Sequence, residues 1–385
     1  MIPRRLLVLL ACLSFPVSLW AQDGHSLGIG GTTAAAPMGI FGVYWNPSMI
    51  AVPDGSRSGW SVASGFSAFD TNNAGQPVIH FNPDDALQSS QDPIKRYQQY
   101  LGLFVARYLT AAGGLVYDQD LNYLASQSSL QFFHDRDNDQ IGIGEAYNLN
   151  YQKTTQQVSS LVLSYGMPVP LGNIPLLTIG GSLKYHDGLQ YEQDTLTGTY
   201  TQSQTTGSTY TKTTSNSGLG LSIDGGFFAK FTDALQVGMM FENIRSSFTW
   251  NATQVNYQLD PKTGAESPIP GSATSLNVSA PFPYAVKLGM AFTPPDKNIA
   301  LEGEVDWSQH QARWHFGMER YYPEAHLAVR FGTFADQISN QQMWCFGIGY
   351  FSPVVNIDAS FLTRSIPDLE DSISLGGALD AVVLF

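Results

Sequence analysis

Two groups of residues have the types and spacing to do chemistry. Asp135-Arg136-Asp137-Asn138-Asp139 sets carboxylates at alternate positions, an oxygen-rich pattern that suits calcium. An EF-hand loop would want Gly where Gln140 stands and Glu where Ala146 stands, so the run departs from that motif. A solvated acidic turn is the plainer reading. The second group is Glu304 and His315, a carboxylate and an imidazole suited to acid–base work. The chain has no His-Glu-x-x-His, Gly-x-Ser-x-Gly or Walker A sequence, and its seven histidines are scattered, which gives a zinc site no support. These residues predict no enzyme, and loop calcium is the one cofactor the pattern allows.

What must position Glu304 and His315 is a set of alternating segments. Between Ile299 and Trp307 the odd positions read Ile, Leu, Gly, Val, Trp, and the even ones include Glu302, Glu304 and Asp306. Trp314, Phe316 and Met318 alternate with Arg313, His315 and Glu319; Leu327, Val329 and Phe331 alternate with His326 and Arg330. Tyr284, Val286, Leu288, Met290 and Phe292 alternate with Lys287 and small residues. Period two means strands with one apolar face. Here that face is large and aromatic, while the other mixes charges with Gly, Ala and Ser, as in a lipid-embedded barrel with a wet interior. By parity the interior holds Lys184, Asp224, Lys230, Glu242, Lys287, Glu302, Glu304, Asp306, Arg313, His315, Glu319, His326, Arg330, Asp358 and Asp380. Charges of both signs on neighbouring strands predict pairing across the lumen that holds whatever fills it. A polar conduit is the competing use.

Bulk composition agrees. Arg4 and Arg5, the apolar run Leu6 to Leu13 and a small residue at Ala21 read as a secretory signal over 1–21. No later stretch is apolar enough for a membrane helix. Two of the 19 basic residues leave with the signal, so 17 face 32 acidic ones and the net charge becomes −15, which disfavours nucleic acid. Only 13% of residues are charged, against 12% aromatic, as expected of a surface partly covered by lipid. Cys345 is the one cysteine left, and its place between Trp344 and Phe346 predicts packing rather than reactivity.

The strands read 60–68, 100–108, 112–119, 158–168, 175–187, 217–231, 234–250, 282–293, 297–308, 310–320, 325–333, 342–351, 354–364 and 372–385, about fourteen in all. The fold class is therefore all-β, a transmembrane antiparallel barrel over 57–385. Short connections alternate with long ones, the mark of periplasmic turns and extracellular loops. Asn82-Pro83 and Asp92-Pro93 read as helix starts in the first long loop. The tracts Gln193 to Ser217 and Asn251 to Pro281 are polar, and are either hairpins raised above the membrane or mobile loops. Ahead of the barrel, 22–56 does not alternate; Gly28 to Ala36 is small, and Trp45-Asn46-Pro47-Ser48 makes an aromatic turn.

That small-residue run leading to Trp45-Asn46-Pro47 resembles the N-terminal plug of the FadL family of outer-membrane transporters and of the related PorV/PorQ family. Met167-Pro168-Val169-Pro170-Leu171-Gly172, Phe231-Thr232-Asp233, Gly317-Met318-Glu319-Arg320-Tyr321 and Leu327-Ala328-Val329-Arg330-Phe331-Gly332 are similar to short PorV/PorQ turn and strand motifs. A final strand ending in Phe385 resembles the signal read by the barrel assembly machinery. The resemblance implies a barrel in the cell outer membrane, surrounded by lipid, with a small plug and long extracellular loops. It implies passive uptake of apolar small molecules past the plug. Leu87, Ile94, Leu101, Phe132, Phe133, Ile141 and Ile143 in the long loops would supply the ligand site, or would pack those loops onto the rim. Docking of secreted proteins or secretion machinery, as in PorV, is the alternative, and a structural barrel is the third.

Overall fold

The structure, a computed structural model, describes residues 23–35, 42–52, 59–69, 94–106, 112–142, 145–172, 174–202, 208–294, 298–308, 311–336, 341–363 and 375–384. The signal-peptide expectation, both expected helix starts and Phe385 lie outside them.

Alternation becomes strands wherever it runs. They are β1 (Gly59–Phe69), β2 (Ile94–Ala106), β3 (Ala112–Ala125), β4 (Ala146–Pro168), β5 (Leu176–Thr201), β6 (Ser208–Ser215), β7 (Gly218–Lys230), β8 (Leu235–Leu259) and β9 (Glu266–Pro268). After them come β10 (Thr274–Ser279), β11 (Ala285–Phe292), β12 (Ile299–Ser308), β13 (Gln311–Tyr322), β14 (Leu327–Asp336), β15 (Gln341–Phe351), β16 (Val355–Thr363) and β17 (Leu375–Leu384). Fourteen of them pair antiparallel in a ring that skips β6, β9 and β10. The ring closes where Gly59 of β1 faces Leu384 of β17. Closure leaves no unpaired edge at membrane depth, which a bilayer demands.

Side chains sort by parity as the sequence predicts. Leu161, Leu163, Tyr165, Leu219, Leu221, Leu288, Met290, Trp314, Phe316 and Phe361 stand exposed on the outer surface. Lys184, Asp224, Glu304, Asp306, Arg313, His315, Arg330, Asp358 and Asp380 are buried within. No described helix is long and apolar enough to cross a membrane.

The polar tracts are raised hairpins. β4, β5 and β8 run on well past their apolar ends, and β6, β9 and β10 pair with them there. The stretch 120–157, read from sequence as a loop, instead finishes β3, forms helix α3 (Gln127–Asp137) and begins β4. Ser126 caps α3 by accepting from the Ser129 amide. The helix packs Leu130, Phe132 and Phe133 against Tyr147, Leu149, Tyr151, Leu196, Tyr200, Tyr210 and Leu259.

The face it covers follows from register. β4 pairs with β3 without interruption, so Tyr147, Leu149 and Tyr151 share a face with Leu161, Leu163 and Tyr165. In β5 one extra residue at Leu189 exchanges the two faces, which brings Leu196 and Tyr200 to the same side. The surface that is bare and apolar lower down is thus covered by a helix higher up.

Candidate functional site

Inside the barrel the N-terminal segment wraps part of the inner wall, anchored at both ends. Helix α1 (Gly24–Gly28) is capped by Asp23, which accepts from the Ser26 amide at 2.8 Å. Its Leu27 joins Phe334, Met343, Cys345, Leu362 and Ala378 in an apolar cluster, and the Gly24 amide donates to Asp380 at 2.6 Å. Cys345 is packed, as expected. The second anchor is α2 (Gly42–Trp45) and the 3-10 turn Pro47–Ala51. Asn46 caps that turn, with Pro47 at its first position. Met49 and Val52 pack on Phe228.

Between the anchors runs a strap of small residues, held through its backbone. The Thr33 and Ala34 amides both donate to Glu304 Oε2 at 2.6 Å. The Thr32 hydroxyl donates to Glu302 at 2.6 Å, and His315 Nδ1 meets the Gly30 carbonyl at 2.7 Å. Asn46 ties the strap to the second anchor, donating to the Ala34 carbonyl at 2.8 Å. Gly30 and Gly31 have φ of 73° and 81°, a left-handed pair that lets the strap leave α1 without strain.

The wall makes room by omitting side chains where the segment passes. A Cβ on Gly238 would lie 1.7 Å from the Ala34 carbonyl oxygen, one on Gly180 would lie 2.4 Å from Pro47 backbone, and one on Gly332 would lie 2.1 Å from the Gly30 amide nitrogen. Gly180 and Gly238 sit near the short-turn ends of β5 and β8, and Gly332 sits mid-strand in β14. A cavity of about 170 Å³ between His25, Glu302, Glu319 and Tyr321 lies beside the plug.

β5 shows what lies toward the long-loop end, because its inward residues climb in order. Gly180 touches the plug, Ser182 and Lys184 follow, then His186, and past the bulge Tyr191. Lys184 pairs with Asp224 at 2.6 Å and Lys287 with Glu242 at 2.7 Å. The two ammonium groups also sit 4.7 Å from the Tyr44 ring and 5.2 Å from the Trp45 ring. Arg330 bridges Glu319 and Asp358, and His25 reaches Glu319 at 3.3 Å. His186 is held by Ser160 at 2.7 Å and Ser222 at 2.9 Å. Above it Val158, Tyr191, Phe248 and Trp250 form an apolar cluster, with Val278, Ala280 and Phe282 against it.

Most predicted site residues therefore come together. Trp45, Asn46 and Pro47 form a buried, capped turn; Trp45 donates to Asp23 at 2.9 Å. Lys287, Glu302, Glu304, Asp306, Arg313, His315, Glu319, Arg330 and Asp358 line the interior. His326 does not: it sits at an exposed turn with φ of 53°, because the strand begins one residue later. Lys230 pairs with Asp233 at a turn. The calcium reading does not fit the structure. Asp135 and Asp137 lie on α3, where positions two apart point to different sides. Asp135 instead accepts from Tyr147 and Gln131, both at 2.7 Å, and Arg136 takes Asp137. Asp139 follows in a left-handed turn. No described cluster of three or more His, Cys, Asp or Glu could hold a metal ion.

The loop ligand site also changes. Phe132 and Phe133 are core residues under α3, with Ile141 packed against them. Leu87 and Ile143 fall outside the described residues. Ile94 and Leu101 lie on β2. The cluster that does face the lumen, Val158 with Phe248 and Trp250, was missed. Its sequence signal is the even parity that Phe248 and Trp250 share with Glu242 within the predicted strand 234–250.

The fold is that of the FadL-like, fourteen-stranded barrels. The toluene transporter TodX of Pseudomonas putida superposes with a TM-score of 0.58 at 13% identity, over 95% of this chain and 98% of that one. TbuX, a toluene transporter of Ralstonia pickettii, gives 0.60 at 12%, over 95% and 98%. A FadL homologue of Pseudomonas aeruginosa gives 0.57 at 13%, over 96% and 100%. No family model matches the chain, and no curated protein matches it.

Proposed function

We propose that this chain is an outer-membrane barrel that takes up apolar small molecules passively, gated by the plug strap. The observation that carries this reading is the form of the closure. Residues 30–35 are small, lie between two apolar anchors, and are held by side-chain hydrogen bonds to their backbone and to the Thr32 hydroxyl. Hydrogen bonds of this kind exchange with water at modest net cost, whereas the anchors bury apolar groups. The strap is then the moving part, and the Trp45-Asn46-Pro47 turn is its fixed post. The aromatic cluster around Phe248 and Trp250 would receive the apolar solute at the outer mouth. Neighbours of the same fold whose names make them toluene transporters support the solute class. Uptake of radiolabelled toluene into cells carrying the wild-type barrel, against cells carrying none, tests it. Equal rates with the barrel folded in the outer membrane would overturn it.

A second reading, a PorV-like barrel that docks secreted proteins or secretion machinery, draws support from the ion-pair layer between mouth and plug. Buried charge there opposes an apolar solute moving along the axis. A purely structural barrel is the limiting case of the same observation.

A further inference from the structure

Charge in the lumen is unevenly matched. Lys184 pairs with Asp224, Lys287 with Glu242, and Arg330 with Glu319 and Asp358. Arg313 stands opposite Asp306 in register. Four further carboxylates are held by neutral donors. Glu302 accepts from the Thr32 hydroxyl, Glu304 from the Thr33 and Ala34 amides, Asp380 from the Gly24 amide, and Asp23 from the Ser26 amide and the Trp45 indole. Among the described side chains of lumen and plug, nine carboxylates therefore face four permanent cations, a formal charge of −5 with histidine neutral. The register of β2 and β3 adds Arg96, Asp118 and Asp120 at inward positions, so the surplus stands.

The surplus is ordered along the wall. Asp306, Glu304 and Glu302 take three successive inward positions of β12, one carboxylate about every 7 Å at the rise of a strand. The line ends at the cavity that Glu302 and Glu319 share beside the plug. At its upper end Asp306 is 7% exposed, and among the described residues its Oδ1 meets no hydrogen-bond donor. Toward the outer mouth stand five rings. Tyr191 stacks on Trp250 at 5.3 Å, Phe248 meets Trp250 edge-on at 5.0 Å, and Phe282 lies 5.5 Å from Phe248 and 4.3 Å from His186. The wall is cut back to seat them: a Cβ on Gly188 or Gly218 would lie 2.3 or 2.6 Å from the Trp250 ring. Aromatic faces carry partial negative charge, so such a group attracts a cation while still contacting apolar surface. The same contact is already made lower down, where Lys184 and Lys287 sit on the Tyr44 and Trp45 rings.

We propose that the solute is an apolar organic cation, a quaternary ammonium on an aromatic body, received by the rings and drawn inward along the β12 carboxylates. This rests on the uptake reading and narrows its solute class. The rings match the apolar body and the ammonium together, and the line of Asp306, Glu304 and Glu302 matches the charge at each step down the wall. It also meets the objection that buried charge opposes an apolar solute on the axis. A lumen lined by a surplus of one sign concentrates the opposite sign, and a neutral solute gains nothing from that field.

The test compares radiolabelled phenyltrimethylammonium with radiolabelled tert-butylbenzene, its uncharged counterpart of the same shape. Each enters outer-membrane vesicles that carry the full barrel or lack it, and the difference is the barrel-dependent rate. That rate should be about tenfold or more higher for the cation. Asp306→Asn, which removes a charge, and Phe282→Leu, which removes a ring, should each lower the ratio of the two rates about threefold or more. Equal barrel-dependent rates for the two compounds, or a faster neutral one, would overturn this inference and leave the uptake reading standing. Entry of neither compound above the barrel-free rate, with the barrel folded, would overturn both. A ratio unchanged in both folded variants would overturn the assigned site.

Discussion

Replacing Glu304 with alanine removes the acceptor for two amides of the strap, those of Thr33 and Ala34, each 2.6 Å from the same oxygen. Glu304 is 3% exposed, so little water can take its place. A buried donor left without a partner costs about 1–3 kcal/mol, and two cost about 2–6 kcal/mol. The loss falls on the closed position of the strap, because both amides reach solvent once it lifts. At about 1.4 kcal/mol per tenfold change, even the lower bound raises the open fraction more than tenfold. Glu304→Gln keeps one acceptor oxygen without its charge and should fall between. The assay is toluene uptake into whole cells, with protease cleavage within 30–35 as a direct reading of strap exposure. Uptake and cleavage should rise together, in the order wild type, glutamine, alanine. A folded Glu304→Ala barrel with uptake and cleavage at wild-type levels would refute the reasoning.

Other variants probe the rest of the structure. Gly238→Ala puts a methyl group where the Ala34 carbonyl now lies, so it should open the strap by a route independent of Glu304, read by the same cleavage assay. Leu288→Arg on the outer face should cost about 2–4 kcal/mol if it meets the bilayer midplane, seen as loss of heat-modifiable migration on gels. Lys287→Ala should keep that migration and act within the lumen, by stranding Glu242 and losing the contact with the Trp45 ring. Arg330→Ala leaves Asp358 buried without its cation, while Glu319 keeps His25, and should cost about 3–5 kcal/mol in detergent unfolding. Phe132→Ala should cost about 3–5 kcal/mol, confined to the raised sheet, so that α3 becomes protease-sensitive while barrel migration is unchanged. At the exposed Asp260 turn, hydrogen bonds from the Thr263 and Lys262 amides hold the carboxyl below its ordinary value. A depressed folded value means the turn is supported above the ordinary 3.8 and loses that support as pH falls through the folded value. Amide exchange at Lys262 and Thr263 should therefore quicken in acid.

The barrel was legible because lipid and lumen impose opposite chemistry on alternate residues, and Leu288 beside Lys287 records both. Parity also placed Glu304, His315 and Arg330 inward, though it could not say that Glu304 would hold a backbone 271 residues away. The raised sheet was less legible. Thr195, Thr197 and Gln193 carry no apolar period, and their pairing with β6 depends on neighbours that no local pattern reveals. The bulge at Leu189 reverses parity within β5, so Leu196 appears on the wrong face when read from sequence alone. Helix α3 carries its buried Phe132 and Phe133 inside a polar, charge-rich stretch, which masks its apolar side. His326 failed for the opposite reason: the predicted strand 325–333 began two residues inside a turn.

Locking the strap tests the proposed gate most directly. The Ala34 Cβ and a Cβ built on Gly289 are 3.1 Å apart, close enough for Ala34→Cys with Gly289→Cys to form a disulfide after a small shift. Both parental cysteines are out of play, since Cys12 lies in the expected signal and Cys345 is buried. Toluene uptake should fall to the level of cells lacking the barrel when the pair is oxidised, and return on reduction. Uptake that is the same in the oxidised and reduced barrels, with the cross-link verified, would contradict gating by the strap.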